Sequence, residues 1–122
     1  MVRQSDALGR WGEDIAAAHL QTLGMEVLDR GWRPAGIGLR GELDLVARDG
    51  RALVFVEVKT RSSGAFGVLE AVTPVKQRRL RRLALAWLMA HQQGAPELRF
   101  DVVGVRRDRP GLDGVVHVPA AF

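Results

Sequence analysis

Cysteine is absent from this chain of 122 residues, and lysine occurs only twice among its 18 basic residues. Without cysteine there is no disulfide framework, so we expect a protein of the reducing cytoplasm. The absence of cysteine and the wide scatter of the three histidines also argue against a zinc site. Because the sequence contains no run of about 18 apolar residues and no signal-peptide pattern, we expect neither membrane insertion nor export.

The composition is that of one compact domain spanning residues 1–122. Hydrophobic residues make up 47% of the chain, which is enough to bury a core at this length. We find no internal repeat, linker or low-complexity tract. The formal net charge of +4 indicates a polyanionic partner such as nucleic acid, although many basic proteins bind nothing acidic.

Two short runs in the middle of the chain carry the most informative chemistry. Leu53–Lys59 is apolar except for Glu57 and Lys59, which fall on one face of the predicted strand. Gly41–Ala47 alternates between polar and apolar residues in the same way. Asp49-Gly50 lies between the runs and is a strong signal for a two-residue hairpin turn. The sequence therefore predicts a β-hairpin with charged residues on one face.

That turn also predicts a register, in which Asp44 lies opposite Phe55 and Glu42 lies opposite Glu57. Asp44 and Glu57 then become diagonal neighbours on one side of the sheet, and Lys59 lies on the same side. Converging carboxylates repel each other and raise each other's pKa unless a cation sits between them. A site with few carboxylate ligands, completed by water and substrate phosphate, suits Mg²⁺ or Mn²⁺ better than Ca²⁺.

These residues resemble a known nuclease superfamily. Asp44, Glu57-x-Lys59 and a preceding helix that carries Glu13 are similar to the PD-(D/E)XK nucleases, most closely to archaeal Holliday-junction resolvases. Leu43 replaces the proline that names the superfamily, which removes a backbone constraint and no ligand. Four segments in order further resemble the small bacterial YraN-type family of endonuclease-like proteins across nearly the whole chain: Gly41–Ala47, Val54–Arg61, Arg99–Val103 and Ala121-Phe122. The short acidic motif is weak alone, whereas the ordered set is specific.

The resemblance implies a restriction-endonuclease-like fold and a metal-dependent endonuclease, a hydrolase that acts on branched or structured DNA. By this resemblance Asp44 and Glu57 bind Mg²⁺ or Mn²⁺, and Glu13 contributes directly or through water. Lys59 would orient the attacking water beside the phosphate. The alternative is a catalytically silent module of the same fold that binds nucleic acid or a protein partner. The presence of Asp44, Glu57 and Lys59 together favours catalysis.

The resemblance to junction resolvases also implies a homodimer. Two symmetric incisions need two active sites related by a two-fold axis, although a chain of 122 residues can equally act as a monomer.

A basic helix is predicted after Thr73-Pro74, an N-cap residue followed by proline at the first helical position, and it runs towards Gly94. Lys76 falls on its inward stripe, pointing either towards the metal site or out to solvent. Further members of the predicted nucleic-acid surface are basic residues outside that stripe, for which a solvated helix face is the alternative: Arg78, Arg81 and Arg82. Arg61, just beyond the Glu57-x-Lys59 motif, is assigned to the same surface. The core stripe consists of Leu80, Leu83, Ala84, Trp87 and Leu88.

The first helix is expected to begin near Ser5-Asp6 and to end before Gly24. Its predicted core stripe is Leu8, Trp11, Ile15 and Leu23. Glu13 lies at the margin of that stripe, where it either approaches the sheet or points to solvent. Three further strands are predicted at Met25–Arg30, Leu98–Arg106 and Gly114–Val118. The element order α-β-β-β-α-β-β predicts an α/β fold with a mixed sheet flanked by helices, whose active edge is the central hairpin.

Several other residues receive weaker assignments. His19, His91 and His117 share no metal spacing and are expected at the surface or at helix ends. Asp101 is either a fourth acidic ligand or a strand-edge aspartate. Trp32 is the one tryptophan considered for stacking on a nucleobase. The segments 36–40 and 62–67 are expected to be mobile loops that bracket the site.

Overall fold

The computed structural model of the protein describes residues 4–36, 38–61, 72–94, 96–109 and 111–122. Within these ranges the order of elements is the predicted α-β-β-β-α-β-β. The two helices are α1 (Gln4–Thr22) and α2 (Pro74–Ala90), and the five strands are β1 (Glu26–Trp32), β2 (Leu43–Asp49), β3 (Ala52–Arg61), β4 (Glu97–Arg106) and β5 (Val115–Val118). No helix in the described part of the chain is long and apolar enough to span a membrane.

One mixed sheet holds the strands in the order β1-β2-β3-β4-β5. All neighbouring strands are antiparallel except β3 and β4, which pair in parallel across the connection that contains α2. Successive side chains of a strand point to opposite faces, and the two core clusters follow this alternation apart from Leu43 at the start of β2. Val46 and Phe55 pack with α2, whereas Leu45 and Val54 pack with α1. The two helices therefore cover opposite faces of the sheet, and the predicted fold class is confirmed.

The cap and the apolar face of α2 agree with the prediction. Thr73 is the N-cap, and its side chain accepts a hydrogen bond from the backbone N–H of Lys76. Pro74 occupies the first turn, where its missing N–H has no helical partner to lose. The buried residues of the helix belong to the predicted stripe, and they are Leu80, Leu83, Ala84 and Trp87.

The prediction of the register between β2 and β3 was wrong by two residues. Asp49 pairs with Ala52, so Gly50 and Arg51 form the turn. A turn of this kind needs a positive φ at its first residue, and Gly50 supplies it with a φ of 59°. A slip of two residues keeps every side chain on its predicted face. Asp44 therefore lies across from Glu57 rather than from Phe55.

The buried stripe of α1 also differs from the prediction. Ala16 and Leu20 are fully buried, whereas Leu23, which we assigned to the core, is 53% exposed. At Gly12 a Cβ atom would lie 2.1 Å from Oγ1 of Thr60, so only glycine allows α1 this close to β3. Small residues therefore set the packed face of α1, and helical spacing puts Glu13 on that face.

Candidate functional site

A cavity of about 260 Å³ lies between α2 and the ends of β2 and β3. It collects charged residues at one end and apolar residues of α2 at the other. Its lining consists of Gly41, Glu42, Asp44, Glu57, Lys59, Lys76, Arg79, Leu80 and Leu83. We call this space the acid cavity. Three residues predicted for the site from sequence, Asp44, Glu57 and Lys59, therefore line one cavity.

Three carboxylates from three parts of the chain converge at this site. One carboxylate oxygen from each of Glu13, Glu42 and Asp44 lies within 4.8 Å of the other two. Glu13 comes from α1, Glu42 precedes β2, and Asp44 lies within β2. Asp44 is further fixed by the backbone N–H of Val58, which donates to its Oδ2 at 2.8 Å. This acid triplet has the oxygen donors that a hard divalent cation prefers.

Glu42 is the member of the triplet that the sequence prediction did not assign to the metal. Its side chain also accepts a hydrogen bond from Nε of Arg33 at 3.0 Å. A signal for it exists in the sequence, since Glu42 and Asp44 are two residues apart in an alternating run and so share a face. The other predicted ligand, Glu57, lines the same cavity and forms an ion pair with Lys59.

Two acids of this site, Asp44 and Glu13, have raised pKa values. Burial raises the pKa of Asp44 to about 8, with a further contribution from the charge of Glu57. Only the hydrogen bond from Val58 opposes this shift among the main causes. Burial likewise raises the pKa of Glu13, followed by repulsion from Glu42, while Arg30 acts in the opposite direction. A bound cation would relieve this repulsion.

The two lysines of the chain meet at the acid cavity. Nζ of Lys59 lies 3.3 Å from Oε1 of Glu57, and the two side chains are only 19% and 16% exposed. Lys76 lines the same cavity, so it points towards the acids, as one of its two predicted orientations requires. Contact with Lys59 lowers the pKa of Lys76, mainly through their hydrogen bond and mutual repulsion. Two ammonium groups therefore stand beside the carboxylates.

The predicted nucleic-acid residues on α2 occupy different environments. Arg78, Arg81 and Arg82 are all exposed, as expected. The guanidinium of Arg81 lies over the rings of Phe100 and Phe122, at 5.1 and 5.4 Å from their centroids. Arg81 is therefore held against the protein by cation–π contacts, whereas Arg78 and Arg82 line a surface groove.

The sequence prediction missed the part that Arg79 plays at this surface. Its side chain lines both the acid cavity and the groove that contains Arg78 and Arg82. Gly41 allows this approach, because a Cβ atom there would lie 3.1 Å from Cδ of Arg79. The predicted residue Arg61 is exposed at the end of β3. Residues 62–67, predicted as a mobile loop, lie outside the described residues, as does Ile37 of the other loop.

Asp101 lies on the opposite face of the sheet from the acid cavity, so it is neither a fourth ligand nor a strand-edge residue. It is fully buried and accepts hydrogen bonds from Arg99 at 2.9 and 3.0 Å and from the backbone N–H of Ala120 at 3.0 Å. Nε2 of His117 lies 2.8 Å from Oδ2 of Asp101, and Nδ1 of His117 lies 3.0 Å from Nε2 of His19.

This chain of contacts corrects the expectation for His117, which lies within β5, whereas His19 lies in the last turn of α1 as expected. The two histidines tie α1 to β5 and, through Asp101, to β4. His91 follows the end of α2, where its ring stacks on Trp87 with the centroids 4.2 Å apart. The expected position of His91 at a helix end is therefore confirmed.

Comparison with known proteins gives the family. The sequence model of "Uncharacterised protein family UPF0102" matches residues 12–105. A UPF0102 protein of Frankia casuarinae is 50% identical over 122 residues, covering 99% of this chain and all of that protein. One from Beutenbergia cavernae is 54% identical over 118 residues, covering 96% of this chain and 97% of that protein. The chain therefore belongs to the UPF0102 family, in agreement with its YraN-type resemblance.

Proposed function

We propose that this protein is a metal-dependent nucleic-acid phosphodiesterase, an endonuclease that acts in the cytoplasm on branched or structured DNA. One observation carries the proposal. Glu13, Glu42 and Asp44 place carboxylate oxygens within 4.8 Å of one another, next to a cavity that also holds both lysines of the chain. Acids alone would repel a phosphate, and lysines alone would only bind it. Their combination suits a cation and a phosphodiester side by side.

The chemistry of the donors fits Mg²⁺ or Mn²⁺. The triplet offers carboxylate oxygens only, and such ligands suit hard divalent ions. The pKa of Asp44 is raised first by burial and then by the neighbouring carboxylates, and a bound cation would relieve that repulsion. Glu13, Glu42 and Asp44 would hold the ion, with Glu57 beside them. When bound, such an ion lowers the pKa of a coordinated water and neutralises charge on the phosphate.

The protein's own groups supply the remaining functions. The backbone N–H of Val58 orients the carboxylate of Asp44, and Glu57 positions the ammonium of Lys59. Lys59 then stabilises the negative charge that develops on the phosphate and orients the attacking water. Leu80 and Leu83 form an apolar wall of the cavity, which strengthens these electrostatic interactions by excluding water. Lys76 adds a second positive charge next to Lys59.

Nucleic acid is the phosphodiester that best suits the surrounding surface. Arg79 connects the acid cavity to the groove lined by Arg40, Arg78 and Arg82. A row of guanidinium groups next to a cleavage site suits a chain of phosphates rather than a small phosphorylated metabolite. The preference for branched DNA and the homodimer rest on the resolvase resemblance. Light scattering with and without branched DNA tests the homodimer, and a monomer in both conditions would contradict paired incision.

A cleavage assay tests the proposed function. Labelled linear duplex, flapped, single-stranded and four-way DNA would be incubated with Mg²⁺, with Mn²⁺ and with EDTA. We expect metal-dependent internal cleavage of at least one substrate by the wild type. Asp44→Asn should abolish it, whereas Asp14→Asn should not, because the Asp14 side chain is 65% exposed and pairs with Arg30. Binding without cleavage on every substrate would favour the catalytically silent binding module.

A further inference from the structure

Three cavities follow one another along the surface of α2 and share lining residues. The acid cavity and a groove of about 430 Å³ share Arg79. That groove and an apolar pocket of about 550 Å³ share Leu39 and Arg82. The acid cavity, the groove and the pocket therefore lie next to one another along α2 and mark out one path. A linear ligand bound at the acids would have a defined route along the protein.

The middle part of the path is lined by guanidinium groups. Arg40, Arg78, Arg79 and Arg82 are all exposed and all line the groove. Among the described residues that line it there is no carboxylate. We call this part the arginine groove. Its charge complements phosphates, and it contrasts with the surroundings of Arg99, whose guanidinium is already paired with Asp49 and Asp101.

The far end of the path is apolar. Among the described residues, the one charged side chain that lines it is Arg82, and the others are Trp32, Pro34, Ala35, Leu39, Leu85, Ala86, Met89 and Ala90. Met89 is 79% exposed and Leu85 is 57% exposed, so both apolar side chains are accessible to a ligand. The indole of Trp32 contacts His91 edge to face, with the ring centroids 5.9 Å apart. We call this space the tryptophan pocket.

We propose that the tryptophan pocket binds one unstacked nucleobase of a strand whose phosphates follow the arginine groove. A flat heterocycle suits a pocket that combines apolar walls, an indole and one guanidinium, because bases stack on aromatic rings and on arginine. Continuity with the arginine groove favours a nucleobase over a protein helix, which would leave the guanidinium groups of the groove unpaired. The proposal rests on the proposed function, since the acid cavity defines where the strand is cut.

This assignment determines the class of substrate. A base can enter the pocket only if it is already unpaired or if its pairing can be broken at a modest free-energy cost. Intact duplex should therefore be a poor ligand. Single strands, flaps and the branch points of junctions expose such bases near a phosphodiester bond. The tryptophan pocket thus gives a physical reason for selecting structured DNA that does not depend on any relative.

Binding measurements in EDTA separate this proposal from catalysis. Fluorescence anisotropy would report the affinity of a labelled single strand and of a series in which one nucleotide at a time is abasic. We expect one position at which the abasic site weakens wild-type binding by about 5-fold to 150-fold, the range for one stacked base. Trp32→Leu should weaken binding of the intact strand by a similar factor. In that variant the abasic site should cause no further loss of affinity, since both changes remove the same contact. Trp32→Phe should retain most of the affinity.

Two further variants protect the test against misfolding. Met89→Glu places a charge in the pocket from a side chain that is 79% exposed, and Val116→Glu makes the same change on β5 at a side chain that is 47% exposed. Only Met89→Glu should weaken binding.

Replacing both Arg78 and Arg82 with alanine should reduce the slope of log K against log salt by about 0.7 per lost phosphate contact. Trp32→Leu should leave that slope unchanged.

The possible outcomes distinguish the two proposals. If no abasic position changes the affinity while the arginine variants weaken it, the strand follows the groove without a base in the pocket, and this inference fails. A change of oligomeric state by Met89→Glu, without a change in DNA binding, would also overturn it in favour of a protein interface. Absence of metal-dependent cleavage, with the abasic effect intact, would instead overturn the proposed function alone.

Discussion

Two aspartates on opposite faces of the sheet, the fully buried Asp101 and the half-buried Asp44, have opposite surroundings. The carboxylate of Asp101 is surrounded by hydrogen-bond donors, which are two nitrogens of Arg99, Nε2 of His117 and the backbone N–H of Ala120. Asp44 accepts a backbone hydrogen bond from Val58 and faces the carboxylates of other residues. Burial by itself raises the pKa of both, but hydrogen bonds from His117 and Arg99 outweigh burial and hold the pKa of Asp101 below its ordinary value.

The difference shows what each carboxylate contributes. Asp101 connects β4, β5 and the C-terminal residues, and its charge is neutralised within the protein. Asp44 lies among other carboxylates, and repulsion from Glu57 adds to burial in raising its pKa to about 8. Stability alone would not favour such a cluster. We infer that Asp101 stabilises the fold and that Asp44 binds a ligand. Substitutions at the two positions test this difference.

The largest expected effect comes from removing the charge of Asp101. Asp101→Asn should lower the free energy of unfolding by about 3–5 kcal/mol, because Arg99 and His117 would lose their buried partner. Asp44→Asn, the matched change on the other face, should cost little or should stabilise the metal-free protein. Urea unfolding of both variants at pH 7 measures this difference. Equal losses in the free energy of unfolding would show that both aspartates stabilise the fold.

The pH dependence of stability should also differ between the two aspartates. The pKa of Asp44 rises from an ordinary 3.8 to about 8, so the native metal-free protein holds a proton that the unfolded chain releases. Stability therefore falls as the pH rises between those values. Asp101, whose pKa is lowered, contributes stability that is lost only as the pH falls below 3.8.

Unfolding in EDTA from pH 4 to pH 9 measures this dependence. The loss of stability towards high pH should be smaller in Asp44→Asn, where among the described acids only Glu13 keeps a raised pKa, and undiminished in Asp14→Asn, since Asp14 is an exposed acid of α1. A wild-type profile that rises with pH over the same range would contradict the raised pKa.

Metal binding sharpens the comparison at a smaller expected magnitude. Mn²⁺ or Mg²⁺ should bind weakly to the free protein, because phosphate is expected to complete its coordination. At about 100 times the dissociation constant, the metal should stabilise the wild type by about 2.7 kcal/mol. Calorimetry should show weaker binding after Asp44→Asn and Glu42→Gln, and unchanged binding after Asp14→Asn.

Glu57 separates two possible ligand sets. If Glu57→Gln weakens metal binding as much as Glu42→Gln does, Glu57 is a ligand, as the sequence predicted. If only the triplet variants have an effect, Glu57 acts by holding Lys59. Equal binding by the wild type and by a protein carrying both Asp44→Ala and Glu57→Ala would contradict the metal site altogether.

Much of this architecture could be predicted from local patterns in the sequence. Helix α2 followed from Thr73-Pro74 and its apolar spacing, and the common face of Asp44, Glu57 and Lys59 followed from strand alternation. The register was wrong because it depended on which turn residue takes a positive φ, and Gly50 rather than Asp49 does so. These predictions needed no information beyond the residues themselves.

Other features depend on contacts between distant segments. Of the large apolar residues assigned to the core face of α1, Trp11 and Ile15 pack against the core but Leu23 is exposed, and the closest packing of the helix depends on Gly12 against Thr60. Alternation places Glu42 on the same face as Asp44, but the acid triplet also needs Glu13, which the packing of α1 brings beside them. The contact between His19 and His117 joins residues that are 98 positions apart, so no local pattern could indicate it.

Lys59 provides the most direct test of catalysis. Single-turnover cleavage by Lys59→Ala, with Mg²⁺ and Mn²⁺, should be reduced by roughly 100-fold or more, because its ammonium acts mainly in the transition state. The fold, metal binding and DNA affinity should be preserved, and Lys59→Arg should restore little activity, since a planar guanidinium differs in shape and charge distribution. If the wild type shows no cleavage that Lys59→Ala removes, with either metal and on all four substrates, the protein is a binding module and not a nuclease.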